Sequence, residues 1–218
     1  MSAEQDEVAV RTAYDTVADT YADHFRSTEP ELPLELAMVE HFASVLQAPR
    51  RVLDAGCGAG RMMPILAGLG CQVEGVDLSP EMVRRAKMDH SEFRSSVGSL
   101  TDLPFPAASF DGVFSWYSTI HSPDNDLPRI FAEARRVLRA GGLLLVAFQA
   151  GRGTVDVSES YRRRGHAVTL RRYNRTPDQL SEQLMAAGFC EVVRLSRGPA
   201  KHEKDDQAVL IATPAGRC

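Results

Sequence analysis

The chain has 218 residues, 44% hydrophobic and 25% charged, with a formal net charge of -4 at pH 7, which suits one sizeable α/β domain and crowds out a second. The negative balance argues against a nucleic-acid-binding surface spread over the protein, and the longest aliphatic run, residues 143–148, is far too short to cross a membrane. Four scattered cysteines, Cys57, Cys71, Cys190 and Cys218, have no CxxC or Cys/His spacing and are expected as reduced thiols; with an N-terminus that lacks the basic and apolar parts of a signal peptide, they predict a cytoplasmic protein.

In chain order, residues 4–25 place Val10, Tyr14, Val17, Ala18, Tyr21 and Phe25 at helical spacing. A proline-interrupted linker follows. Residues 34–47 read as an amphipathic helix with Leu36, Val39, Phe42, Ala43 and Leu46 on one face, stopped by Pro49. Residues 51–55 are a short buried strand, after which Gly56, Gly58 and Gly60 let the backbone turn tightly and approach a ligand before a helix begins near Arg61. A dinucleotide fingerprint would set its third glycine three residues after the second. Here Arg61 holds that place, so the spacing argues against a dinucleotide. Residues 72–77 form the next strand and end on Asp77, at roughly the 20-residue distance where an acid accepts hydrogen bonds from ribose hydroxyls. Ser79, Pro80 and Glu81 then supply an N-cap, a first-turn proline and a first-turn acid. This is the order of a half-Rossmann unit.

Residues 93–97 and 109–115 are the third and fourth strands, with Trp116, Tyr117 and His121 following the rim of the fourth. Leu127, Ile130, Phe131, Ala134, Val137 and Leu138 mark a helix expected to end at a Gly141-Gly142 cap, and 143–148 is a fifth strand for the centre of a parallel sheet. Residues 149–176 show little periodicity, and so long a connection in a compact domain is usually functional. Thr176, Pro177 and Gln179 form a capping box opening a helix that runs to Gly188. Residues 189–195 and 207–213 suit an antiparallel hairpin, and no internal repeat is present.

The stretch Val52-Leu-Asp-Ala-Gly-Cys-Gly-Ala-Gly60 resembles the acidic-x-Gly-x-Gly-x-Gly loop of class I S-adenosylmethionine-dependent methyltransferases. Further segments are similar to that family. Tyr14-Asp-x-x-Ala-Asp-x-Tyr21-Ala-Asp-x-Phe25 resembles the N-terminal segment folded over the cofactor, although two tyrosines packing a helix onto the core would give the same pattern. Gly98-Ser-Leu-Thr-Asp-Leu-Pro-Phe105 resembles a Gly-Asp-Ala-x-x-Leu-Pro-Phe segment whose acid and following amide hold the adenine, but Ser99 stands here at the acid's position and Leu100 at the alanine's. Phe110-Asp111 with its apolar run, Ile120-His121-Ser-Pro123-Asp124 and Ala134-Arg-Arg-Val-Leu-Arg-Ala-Gly-Gly142 complete a resemblance spanning about residues 10–213. It implies a single Rossmann-like doubly wound α/β domain with a seven-stranded, mostly parallel sheet and an antiparallel last strand. An N-terminal helical lid would occupy 1–33 and the core 34–218, with 149–176 as a substrate-facing insertion. It further implies a small-molecule enzyme of the ubiquinone/menaquinone-biosynthesis type using S-adenosyl-L-methionine. Carried over residue by residue, cofactor contacts fall on Tyr21, Asp54, Gly56, Cys57, Gly58, Gly60, Asp77, Leu78, Met82, Ser99, Leu100, Ser115 and Trp116.

Methyl transfer from a sulfonium is an in-line displacement that asks the protein to align reactants and exclude water. That suits a chain without a recognisable nucleophile motif and with six histidines lacking metal-ligand spacing, so no metal is expected. His121 is the candidate catalytic base for a hydroxyl acceptor, or else a hydrogen-bonded structural residue; an amine needs no such base. Expected partners are a small-molecule acceptor, no nucleic acid and no membrane, in a monomer or homodimer. The alternatives are a non-catalytic S-adenosylmethionine-binding or interaction protein, kept open by Ser99, and a nucleic-acid or protein methyltransferase. Arg162, Arg163, Arg164, Arg171, Arg172 and Arg175 point either to an acidic acceptor, through paired donors, or to a solvated face, with Val168 to Leu170 as a short strand between the two groups.

Overall fold

The computed structural model describes residues 3–26, 31–200 and 203–216. In chain order the strands are β1 (Arg51–Ala55), β2 (Gln72–Asp77), β3 (Arg94–Val97), β4 (Phe110–Trp116), β5 (Leu138–Ala150), β6 (Gly153–Asp156), β7 (Arg171–Asn174), β8 (Phe189–Arg197) and β9 (Asp206–Pro214). The helices are α1 (Ala3–His24), α2 (Pro33–Val45), α3 (Met63–Gly68), α4 (Pro80–Asp89), α5 (Leu127–Val137), the short α6 (Ser158–Arg162) and α7 (Pro177–Ala186). Seven strands form one sheet in the order β3-β2-β1-β4-β5-β9-β8. All pairs from β3 to β5 are parallel, and β9 runs antiparallel to both β5 and β8. From β1 the chain winds through β2 to β3 at one edge and then returns to β4 on the other side. The crevice at this reversal, beyond the C-terminal ends of β1 and β4, is where open α/β sheets hold their ligands.

Period-two alternation divides the sheet between two cores. Leu144, Val146 and Phe148 of β5 face the cluster built with Leu127, Ile130 and Phe131 of α5 and Leu180 and Leu184 of α7, while Leu145 and Ala147 face Val39, Phe42 and Ala43 of α2 and Leu66 of α3. The helices lie close on the strands because small residues stand opposite their rings: a Cβ on Gly112 would come within 2.7 Å of the Phe42 ring. Burying each such aromatic stabilises by about 2 kcal/mol, and filling the space at Gly112 would cost roughly 1–3 kcal/mol by overpacking. Caps fix where helices begin. Ser79 accepts a hydrogen bond from the Met82 N–H to open α4, and Thr176 with Gln179 closes the expected capping box on α7.

Four expectations are corrected. Helix α5 stops at Val137, before Gly141 and Gly142, because Leu138 already pairs with Phe110 as the first residue of β5. Residues 149–176 are built rather than irregular: β6 and β7 pair antiparallel around α6. The strand expected at 168–170 lies instead at Arg171–Asn174, where Arg172 and Tyr173 meet Val155 and Thr154. Finally, Cys57 and Cys71 are free thiols but Cys190 is disulfide-bonded. Cys190 lies on β8, where it faces Thr213 of β9. Cys218 lies outside the described residues. No described helix is long and apolar enough to cross a membrane.

Candidate active site

The loop after β1 is held by the end of β2. The Gly56 and Cys57 N–H groups donate to the Val76 carbonyl at 2.8 and 2.9 Å, and the Gly58 N–H donates to Asp77 Oδ2 at 2.8 Å. Asp77 Oδ1 accepts from the Ser79 N–H at 2.9 Å, so one carboxylate ties the glycine loop to the first turn of α4. Left-handed backbone at Gly56 and Gly58 (φ 82° and 54°) is what turns the chain here. The two glycines serve different ends. A Cβ on Gly56 would collide with Ser118 Cβ at 2.2 Å, whereas a Cβ on Gly58 would meet nothing within 4 Å and would stand in the cleft.

Two cavities meet at this loop. A narrow cleft crosses the ends of the strands and is lined by Tyr21, Gly56, Gly58, Asp77, Leu78, Met82, Ser99, Leu100 and Trp116 among the residues expected from sequence. A larger cavity of about 690 Å³ opens beside it. Asp54 and Cys57 line that second space; Tyr21, Gly56, Gly58, Trp116 and His121 line both. Gly60 and Ser115 line neither: a Cβ on Gly60 would press on Met63, and Ser115 Oγ is bonded to Ser118 Oγ at 2.6 Å. Sequence reasoning did not assign Glu7, Tyr14, Thr101, Tyr117, Ser118 or Tyr161 to the site, yet all of them line it. For Tyr14 the signal was present in the aromatic spacing of α1. For Glu7 there was none, since only folding brings it to the loop after β3.

Helix α1 lies across α4 through acids spaced one helical turn apart. Asp15 accepts from Ser79 Oγ at 2.6 Å, Asp19 from Arg84 and Arg85 at 2.6 and 3.1 Å, and Asp23 from Arg85 at 3.0 Å. Farther along, Arg61 makes a two-point pair with Glu31 at 2.6 and 2.9 Å, and Trp116 Nε1 donates to the same carboxylate at 3.1 Å. His121 is a further contact between α1 and the core. Its Nδ1 lies 2.5 Å from the Arg171 carbonyl, which can only accept, so Nδ1 carries the proton and Nε2 accepts from the Tyr14 hydroxyl at 2.9 Å. Burial holds His121 down to about 4, a neutral ring at physiological pH.

The six arginines separate. Arg162 and Arg163 pair with Glu159 on an exposed face, Arg172 with Asp205, and Arg175 with Asp124. Arg163, Arg164 and Arg172 reach the wall of the larger cavity, whose lining also carries Asp156, Glu159, Glu203 and Asp205.

The residues present fit S-adenosylmethionine on two counts. Asp54 Oδ2 is buried with no partner among the described residues, an orphaned acceptor suited to the cofactor's ammonium, and Gly58 leaves open the space a side chain would fill. Burial first, and the nearby charge of Asp77 second, push Asp54 up to about 7. Burial also raises Asp77 above the usual carboxylate range.

Residues 53–146 match the family described as "Methyltransferase domain". The chain is 36% identical over 163 residues to 24-methylenesterol C-methyltransferase 2 of Oryza sativa subsp. japonica, covering 65% of this chain and 44% of that protein. It is 31% identical over 192 residues to a "Probable S-adenosylmethionine-dependent methyltransferase" of Mycobacterium tuberculosis, covering 82% and 65%. The chain thus spans less than two thirds of the length of these curated relatives. Its fold matches that of Burkholderia thailandensis 1,6-didemethyltoxoflavin-N1-methyltransferase, solved with its acceptor and S-adenosylhomocysteine, at a TM-score of 0.73 and 22% identity over 99% of this chain and 91% of that one. A sequence match that begins inside β1 and ends inside β5, laid over a sheet wound in this order, gives residues 53–146 a methyltransferase domain of the class I S-adenosylmethionine-dependent type.

Proposed function

We propose that the chain methylates a small molecule at a group that is nucleophilic without a strong protein base, an amine above all. The observation that carries this reading is the meeting of the two cavities at Gly56, Gly58, Trp116 and His121, where a donor in the cleft would face an acceptor in the larger space. That space falls in the size range of small-molecule sites. When bound, S-adenosylmethionine supplies a methyl group already activated by its sulfonium. The protein's own work is then placement. Asp77, Asp54 and the glycine loop hold the donor, and Tyr14, Trp116 and Tyr117 keep water from the junction. Segment 149–176 acts as the substrate-facing insertion, supported by Asp156, Tyr161 and Arg172 in the cavity wall.

His121 serves as a positioning residue in this reading. Both ring nitrogens are committed, so the Tyr14 hydroxyl gives its proton to Nε2 while its oxygen meets the Tyr161 hydroxyl at the wall of the larger cavity. The acceptors named among the relatives include a sterol and a toxoflavin precursor, small molecules methylated at different atoms, and a malonyl group on an acyl-carrier protein. The test is transfer of labelled methyl from S-adenosylmethionine to matched panels of amines, phenols and aliphatic alcohols. Amines labelled first, with a rate at saturating S-adenosylmethionine that is flat from pH 6 to 8 once the amine's own ionisation is allowed for, is the expected result. Labelling of alcohols alone would sink the amine assignment, and no labelled product from any panel or from a metabolite extract would sink methyl transfer.

A further inference from the structure

We infer that Glu7, on the N-terminal helix, reads the exocyclic amine of the cofactor's adenine, so that the lid itself supplies the base-recognising carboxylate. The inference rests on the S-adenosylmethionine reading above. Sheet order fixes the direction in which the cofactor lies. With the glycine loop at β1 and the ribose at Asp77 on β2, the next strand outward is β3, one strand spacing of about 4.8 Å farther, and the loop after β3 carries Ser99, Leu100 and Thr101. The base end of the cleft is therefore bounded by that loop, with Val10, Met82, Leu100 and Ile130 as apolar walls for a flat ring.

The polar edge of that end belongs to Glu7. Its Oε1 accepts from Ser99 Oγ in a short bond and from Thr101 Oγ1 at 3.0 Å, so two hydroxyls from the core fix where the carboxylate sits. Oε2 makes no hydrogen bond among the described residues, and the bonds of the adjacent turn run from the Thr101 and Asp102 N–H groups to Ser99, using no donor of Leu100. A free acceptor beside a free backbone donor is the complement of adenine, whose edge offers an amine N–H next to a ring nitrogen acceptor. Hypoxanthine reverses both, presenting a carbonyl and a ring N–H. Asp126 lies in the same cleft, but none of the described contacts fixes its carboxylate against the β3 loop. It is the competing carboxylate.

The experiment is titration calorimetry with S-adenosylhomocysteine and its deaminated analogue, S-inosylhomocysteine, on the wild type and on Glu7→Gln, Asp126→Asn and Asp77→Asn. A hydrogen bond to a charged acceptor is worth roughly ten- to a hundredfold in affinity, so the wild type should prefer the adenosyl compound by about tenfold or more. A glutamine amide can turn to suit either base, and Glu7→Gln should bring the preference to within about twofold, while Asp77→Asn weakens both compounds equally. Ser99→Asp added to Glu7→Gln should restore the preference, because it returns a carboxylate to the place where Ser99 meets Glu7. An unchanged preference in Glu7→Gln, or one lost in Asp126→Asn instead, overturns the assignment of Glu7 alone. Binding of neither compound by the wild type overturns the cofactor reading and this inference with it.

Discussion

Asp54 sits in an environment that favours its neutral form until a cation arrives. Its folded value of about 7 stands above the ordinary 3.8, so between those values the folded chain keeps a proton that the unfolded chain has released. Free-chain stability therefore falls as pH rises through this window. The ammonium of S-adenosylmethionine pairs only with the ionised carboxylate, so affinity should rise through about pH 7, weakening by up to about tenfold per unit below it. Calorimetry from pH 5.5 to 8.5 measures this, and Asp54→Asn should give a flat profile; a slope that survives the substitution would assign the titration elsewhere. His121 has the opposite sign. Its folded value of about 4 lies below the ordinary 6.5, the unfolded chain binds the extra proton, and stability is lost as pH falls from 6.5 through 4, by up to about 3 kcal/mol. The two slopes oppose each other in the acid range. Asp54→Asn should accordingly melt with a steeper dependence on pH below 6.5 than the wild type, and an equal or shallower dependence would refute the pairing of signs.

At the scale of elements, the contact between α1 and α4 is electrostatic and adjustable. The Arg85 side chain is only 8% exposed, but its partners Asp19 and Asp23 are 66% and 53% exposed, so solvent screens much of the attraction. Arg85→Ala should therefore loosen α1 locally, speeding amide hydrogen exchange there roughly fivefold while sheet amides keep their protection. Unchanged exchange in α1 would show that its apolar face holds it without the ion pairs. This helix was readable from Val17, Ala18 and Tyr21, and the acids quoted with them, Asp15, Asp19 and Asp23, are the ones that meet α4. The β6–β7 pair was not readable. Each strand has four residues, and Val155 is the sole aliphatic side chain in the eight, so neither carries an alternation that sequence can display. Gly141 misled for a related reason: a glycine with φ 78° fits a helix cap as well as the kinked start of a strand, and pairing of Leu138 with Phe110 decides between them.

Across the whole molecule, legibility followed the range of the forces. Strands β1, β2, β4 and β5 and the glycine loop announce themselves because buried parallel strands and left-handed turns constrain residue type locally. Glu7 meeting Ser99, Tyr14 meeting His121 and the junction of two cavities involve residues about a hundred positions apart, and no local pattern encodes them. The same separation divides the molecule into a sheet with its flanking helices, which carries the stability, and a helix laid across it. Neither of the two hydrophobic clusters includes a residue of α1, whose buried apolar side chains are the small Ala13, Val17, Ala18 and Ala22, while Glu7, Tyr14 and Tyr21 of α1 line the cleft. Removing residues 1–26 should consequently leave a folded chain that melts within roughly 5 °C of the intact protein yet binds S-adenosylhomocysteine at least about a hundredfold more weakly, since one charged contact and two aromatic walls go together. Thermal unfolding and calorimetry on the same preparation separate the two effects. A shortened chain that cannot fold would make α1 part of the core, and one that binds with wild-type affinity would leave the cofactor to the sheet alone.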